Sequence, residues 1–269
     1  MHRRALTLTL VIAGAVAMPA SADGQTGFVN LPFTVDGQAR TAALWVPADY
    51  DPSVPWPLVI FLHSMSGWGD NDGDATGAFL DEIALVPAIR AHPERFPALV
   101  LIPRCPPFVA WAPIPAGAQR ADWHRQNTPD GDVDAAAHVD AAWARVVERY
   151  SVDPARVTLT GFSIGGDGAL RYAAARADRL AAVAPVAGFG TIVTSDAAAL
   201  AGLPIWAFQG ERDFVSTPEL ARTMIDAIED AGGDVRYTEY SAVEHLIADR
   251  AYGDAALIAW LLEQRQQVP

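Results

Sequence analysis

Short apolar runs alternate along this chain with longer stretches in which apolar positions recur every three or four residues. In Phe28–Val35 the apolar side chains fall on alternate positions, and Thr41–Val46 follows beyond Asp36-Gly37, the pattern of a β-hairpin. Leu58–His63 and Leu99–Ile102 are continuous apolar runs, the form taken by strands covered on both faces. Val157–Thr160, Ala182–Val186, Pro204–Phe208 and Val235–Tyr240 bring the predicted strands to eight. Helical periodicity predicts helices over Ala78–Ala91, Val133–Tyr150, Ile164–Arg176, Pro218–Ala231 and Tyr252–Gln264. The Pro218 helix has a start signal: Thr217 to cap it, proline in the first turn, and Glu219 at the positive end of the dipole. Two antiparallel strands followed by strand–helix alternation predict a mostly parallel eight-stranded sheet with helices on both faces, one α/β domain over residues 23–269.

Two long loops, His63–Thr76 and Pro103–Asp132, leave the carboxyl edge of that sheet, where ligands bind in such folds. Ser64, Trp68, Trp111 and Trp123 are the candidate pocket residues on them. Trp111 and Trp123 serve equally well as packing anchors.

The amino terminus belongs to a different category. His2, Arg3 and Arg4 precede an apolar stretch to Met18 and an Ala20-Ser21-Ala22 cleavage pattern, so residues 1–22 read as a signal peptide and the mature protein as exported, periplasmic or secreted. No other stretch is apolar and long enough to span a bilayer. The formal charge is −13, and all 19 basic residues are arginine. That balance disfavours nucleic acid and anionic membrane surfaces as partners and favours neutral substrates. Cys105 is the only cysteine, so no intramolecular disulfide forms; it reads as a small apolar filler behind a strand.

Gly161-Phe162-Ser163-Ile164-Gly165 carries the chemistry. A G-x-S-x-G between a β-branched strand and a helix is a nucleophile elbow, a sharp turn that pushes the serine hydroxyl out of the sheet edge. A serine hydroxyl needs a base, and the base an orienting carboxylate. His245 is the single histidine after Ser163, and it follows the last strand. The acid belongs after the seventh strand, where Gln209-Gly210-Glu211-Arg212-Asp213 offers Asp213 ahead of Glu211. Oxyanion donors are expected from the backbone N–H of Ile164 and from the loop after the third strand, where Ser64 and Met65 compete. His63 is expected to brace that loop.

Asp70-Asn71-Asp72-Gly73-Asp74 has a superficial likeness to a calcium loop, but Ala75 stands where the turn requires glycine. A polar loop leading into the next helix accounts for it. Asp130, Asp132 and Asp134 read as decoration of a helix start. No metal and no cofactor is implied.

Leu62-His63, the run Tyr150–Val157 into Gly161–Gly166, Ala184–Gly188, Gln209–Asp213 and Val243-Glu244-His245 together resemble the α/β-hydrolase superfamily, in its small secreted esterase branch of carboxylesterase/phospholipase-like and depolymerase-like enzymes. The resemblance implies a triad of Ser163, Asp213 and His245 and oxyanion donors at Met65 and Ile164. It departs at Ser64, where family members usually carry glycine. It implies hydrolysis of a small-molecule or polymeric carboxylic ester. A peptidase of the same fold and a catalytically silent binding protein are the alternatives.

Overall fold

The computed structural model describes residues 24–69, 73–106, 110–112, 114, 117–127 and 135–266, with the backbone alone for His124 and Asn127. The proposed signal peptide, Asp70–Asp72 and Asp130–Asp134 lie outside the described residues.

Eight strands form the central sheet: β1 Gly27–Val35, β2 Gln38–Val46, β3 Trp56–Leu62, β4 Leu99–Ile102, β5 Val152–Phe162, β6 Ala182–Val186, β7 Ile205–Gly210 and β8 Val235–Tyr240. Their spatial order is 1-2-4-3-5-6-7-8. β2 pairs antiparallel with both β1 and β4, and the pairs from β4 through β8 are parallel. The expected hairpin turns at Asp36 and Gly37, both at positive φ (50° and 73°), the combination whose twist matches the flanking strands.

Helices α1 Ala136–Arg149, α2 Ile164–Ala175 and α3 Pro218–Asp230 pack on one face. The short helix Val86–Ala91, with α4 Ala248–Gly253 and α5 Ala255–Glu263, covers the other. Among the described residues no helix is long and apolar enough to cross a membrane.

Three local expectations are corrected. The helix expected over Ala78–Ala91 breaks into Ala78–Asp81 and Val86–Ala91. Pro87 has no N–H to bond back into a preceding turn, so the helix restarts with proline in its first turn. The helix expected over Tyr252–Gln264 breaks at Asp254, which caps α5 through the N–H of Ala256 (2.9 Å). Thr217 stands at the N-cap of α3 with extended backbone, but its side chain makes no cap hydrogen bond; its carbonyl accepts from Ala221 (3.1 Å). The sequence also hid a ribbon of two short strands, Gln119–Arg120 against Thr191–Ile192, which ties the long loop after β4 to the segment after β6.

The elbow depends on close approach. A Cβ at Gly165 would overlap the Leu62 carbonyl, and one at Gly161 would overlap the Gly165 carbonyl. The glycines of G-x-S-x-G therefore let the first turn of α2 lie against the end of β3. That contact brings Ser163 beside the loop that leaves β3.

His63 holds this loop. Its Nε2 accepts from the N–H of Cys105 (3.0 Å), and its Nδ1 faces the Ser64 carbonyl (2.7 Å). A backbone N–H only donates and a carbonyl only accepts, so the ring is neutral with its proton on Nδ1. The Trp111 indole donates to the His63 carbonyl (2.9 Å) and packs edge-on against the ring. The bracing role stands. Burial holds the His63 pKa down to about 4. Cys105 is buried here too, and burial pushes its thiol pKa up, which fits a filler.

Two outcomes test this account. Gly165→Ala is expected to cost about 3 kcal/mol or more, whereas Gly202→Ala, whose Cβ would meet open space, stays within about 0.5 kcal/mol. Urea titration of both checks this, and equal midpoints contradict it. For His63 the folded pKa lies below the ordinary value of about 6.5, so the unfolded chain takes up the proton first and stability falls as pH drops from that value toward 4. The loss is on the order of 3 kcal/mol. The urea midpoint is expected to fall more between pH 7 and 4.5 in the native protein than in His63→Asn. Equal falls contradict it.

Candidate active site

Ser163 sits between the last residue of β5 and the first of α2, with φ 58° and ψ −122°. A non-glycine residue at positive φ costs on the order of 1–3 kcal/mol, and such strain gathers where a side chain must be aimed. Three backbone bonds hold it: the Ser163 N–H donates to the Val186 carbonyl (3.0 Å), and its carbonyl accepts from Gly166 (2.8 Å) and Asp167 (3.1 Å).

The three residues expected as a triad meet at the carboxyl edge of the sheet. His245 Nε2 lies 2.8 Å from Ser163 Oγ, and His245 Nδ1 lies 2.8 Å from Asp213 Oδ2. A carboxylate only accepts, so Nδ1 carries the proton and Nε2 is free to accept from the serine hydroxyl. Phe162 stacks on the imidazole with ring centroids 5.3 Å apart. Chain separation between the hydrogen-bonded side chains is large, so this convergence is a product of topology: the three residues follow β5, β7 and β8.

Asp213 is fully enclosed. Its Oδ1 accepts from the N–H groups of Val215 and Ser216 (2.8 Å each), and its Oδ2 accepts from Gln209 Nε2 (2.9 Å) as well as from His245. Glu211, the competitor, is exposed and accepts from the N–H of Ala242, a residue at φ 59° in the histidine loop. Glu244 is exposed.

Gln209 is a site residue that sequence reasoning missed. It is completely buried at the end of β7, and its amide nitrogen also donates to the Ser216 carbonyl. Both partners are acceptors, which fixes the amide orientation and turns Oε1 toward a buried position with no hydrogen-bond partner. Leaving that oxygen unpaired carries a desolvation cost. The signal was available: a lone polar residue closing an apolar strand needs a partner.

Asp167 was also missed. It lies one turn into α2, fully buried, and its Oδ1 accepts from the N–H of Gly190 (2.9 Å). Burial raises its pKa to about 8, against the opposing pull of the Thr191 N–H and Arg171. The neighbouring Phe189 N–H donates to Ser216 Oγ (2.6 Å). Residues 189–190 are thereby clamped between α2 and the loop that carries Asp213.

On the β3 loop, Met65 opens a short 3-10 turn, Met65–Gly67, just as Ile164 opens α2. N–H groups at the start of helical turns are available to an anion. The Ser64 hydroxyl is 2.8 Å from Ser66 Oγ, whose own proton goes to the Glu82 carbonyl (3.1 Å). The Ser64 hydroxyl therefore donates to Ser66 and has no proton left to offer, which leaves the backbone N–H groups of Ser64 and Met65 as the candidates on this loop.

Of the candidate pocket residues, Ser64, Trp68 and Trp123 are part-exposed. Trp111 is corrected: it is 1 % exposed beneath the loop, a packing anchor and not a pocket wall. Asp74 organises a polar loop, accepting from the Thr76 hydroxyl and N–H (2.7 and 2.8 Å) and from Asn30 (2.8 Å); those bonds hold its pKa down to about 2. Among the described residues no cluster of His, Cys, Asp or Glu is suited to a metal ion.

Comparison with known proteins agrees with this architecture. The thermostable esterase of known structure superposes with a TM-score of 0.71 at 26% identity, covering 89% of this chain, which spans 63% of that protein's length. S-formylglutathione hydrolase from Staphylococcus aureus gives 0.62 at 15% identity, over 93% of this chain and 100% of that one. A ferulic acid esterase from Anaeromyces mucronatus gives 0.56 at 18% identity, over 91% and 94%. At those two identities the likeness speaks for the fold. No curated protein matches the chain by sequence. The model of the dienelactone hydrolase family matches residues 46–257, from the end of β2 into α5. The chain belongs to the dienelactone hydrolase family of the α/β-hydrolase superfamily.

Proposed function

We propose that this protein hydrolyses carboxylic esters through an acyl-enzyme on Ser163. The observation that carries the reading is the unbroken hydrogen-bonded line Ser163–His245–Asp213 at the carboxyl edge of the sheet. Family membership and the esterases among its structural relatives support the reaction class.

The residues divide the work. His245 Nε2 takes the proton as Ser163 Oγ attacks the carbonyl carbon. The imidazolium that results is stabilised by the Asp213 carboxylate, held by its four donors. The tetrahedral oxygen settles against the N–H of Ile164, where the α2 dipole favours negative charge, and the N–H of Met65. His245 then returns its proton to the departing alcohol. Water, deprotonated by the same imidazole, releases the acid and frees Ser163. No cofactor enters. The signal-peptide pattern at residues 1–22 supports export to the periplasm or beyond.

Variants test the assignment. On 4-nitrophenyl acetate, Ser163→Ala is expected to lower kcat by about 10³-fold or more, and Asp213→Asn by about 10⁴-fold through the wrong imidazole tautomer, with circular dichroism unchanged. Native-level turnover by either variant contradicts it. Faster cleavage of aminoacyl anilides than of nitrophenyl esters favours the peptidase alternative.

A further inference from the structure

Large apolar side chains standing in water are scarce on this molecule. Among the described residues four are well exposed, and the two most exposed are Leu246 (82 %) and Phe214 (63 %). Leu246 directly follows His245, and Phe214 directly follows Asp213. Single exposed apolar residues are ordinary, but these two flank the base and the acid of one hydrogen-bonded line.

Neither is exposed through slack. The Ile247 N–H donates to the His245 carbonyl (2.9 Å), a tight turn centred on Leu246, and Ile247 itself is completely buried. The Asp213 carboxylate accepts from Val215 and Ser216, turning the chain around Phe214, and both of those residues are buried. The two loops are stitched together by Glu211 N–H to the Tyr240 carbonyl (3.0 Å) and Arg212 N–H to the Val243 carbonyl (2.9 Å). The same turns that aim the acid and the base therefore hold Phe214 and Leu246 outward. Met65, half-buried, adds an apolar side chain on the opposite loop. The exposed carboxylates beside them, Glu211 and Glu244, with a net charge of −13, oppose an anionic group.

We propose that Phe214 and Leu246 form an apolar rim that receives an extended, uncharged hydrocarbon arm of the ester, so that the enzyme prefers long-chain esters over short or anionic ones. The proposal rests on the ester-hydrolase reading above. The arm belongs to the acid or to the alcohol, and two substrate series separate these. One is 4-nitrophenyl esters from acetate to octanoate; the other is alkyl acetates from ethyl to octyl. An ester of an ω-carboxy acid of matching length provides the charged control.

In the native protein kcat/KM is expected to rise along one series, by at most about fourfold per methylene removed from water, and the charged control to fall below its neutral counterpart. In the Phe214→Ser, Leu246→Ser double variant the octanoate-to-acetate or octyl-to-ethyl ratio is expected to drop at least tenfold. Leu246→Met, which keeps the apolar surface, retains the slope and guards against a variant that merely misfolds. A flat native profile in both series overturns the proposal, as does an undiminished ratio in a folded double variant. Failure of the native protein to hydrolyse any of these esters overturns the ester reading itself, and the rim proposal with it.

Discussion

A carboxylate shut away from water has to be paid in hydrogen bonds, and Asp213 receives four. Two come from the backbone of its own loop, one from Gln209 in the last residues of β7, and one from His245 on the loop after β8. Removing any one leaves charge exposed to a low-dielectric interior, where an unpaired group is far more costly than at the surface. The acid loop, the end of β7 and the histidine loop are thus fixed to one another by one buried charge. The imidazole inherits its tautomer and its direction from that arrangement.

Ser163 is positioned by a different force. Ser163 is strained, and the strain is maintained because the first turn of α2 is pressed against the end of β3 through two glycines. The same contact sets the start of the loop that leaves β3, at Leu62 and His63, against the first turn of α2, so aiming the hydroxyl and placing that loop are one packing event. Asp167 and Ser216 carry the connection further. Each binds an N–H in the segment Phe189-Gly190, which links α2 to the Asp213 loop on the far side of β6.

Much of this was legible in the chain because it follows from period and punctuation. Strands β4, β6 and β8 appear with the bounds predicted from the sequence. G-x-S-x-G, a single histidine after it and an acidic residue behind the seventh strand were enough to name three residues that meet within hydrogen-bonding distance. What stayed hidden lies at element ends or depends on neighbours distant in sequence. Gln209 fell outside the predicted strand, which ended at Phe208, so its burial was not foreseen. The ribbon 119–120 with 191–192 is too short to show a period. Whether Trp111 faced a pocket or the core was decided by Gly168 and His63, and neither relation is local.

The central claim is that Ser163 is the nucleophile and is activated by this geometry. Treating the folded protein with a fluorophosphonate and mapping the adduct by peptide mass spectrometry tests it most directly. The account predicts a single phosphonyl group on the peptide containing Ser163, formed quickly by the native protein and hardly at all by His245→Ala. Modification of another residue, or equal labelling of Ser163 with and without the imidazole, would contradict it.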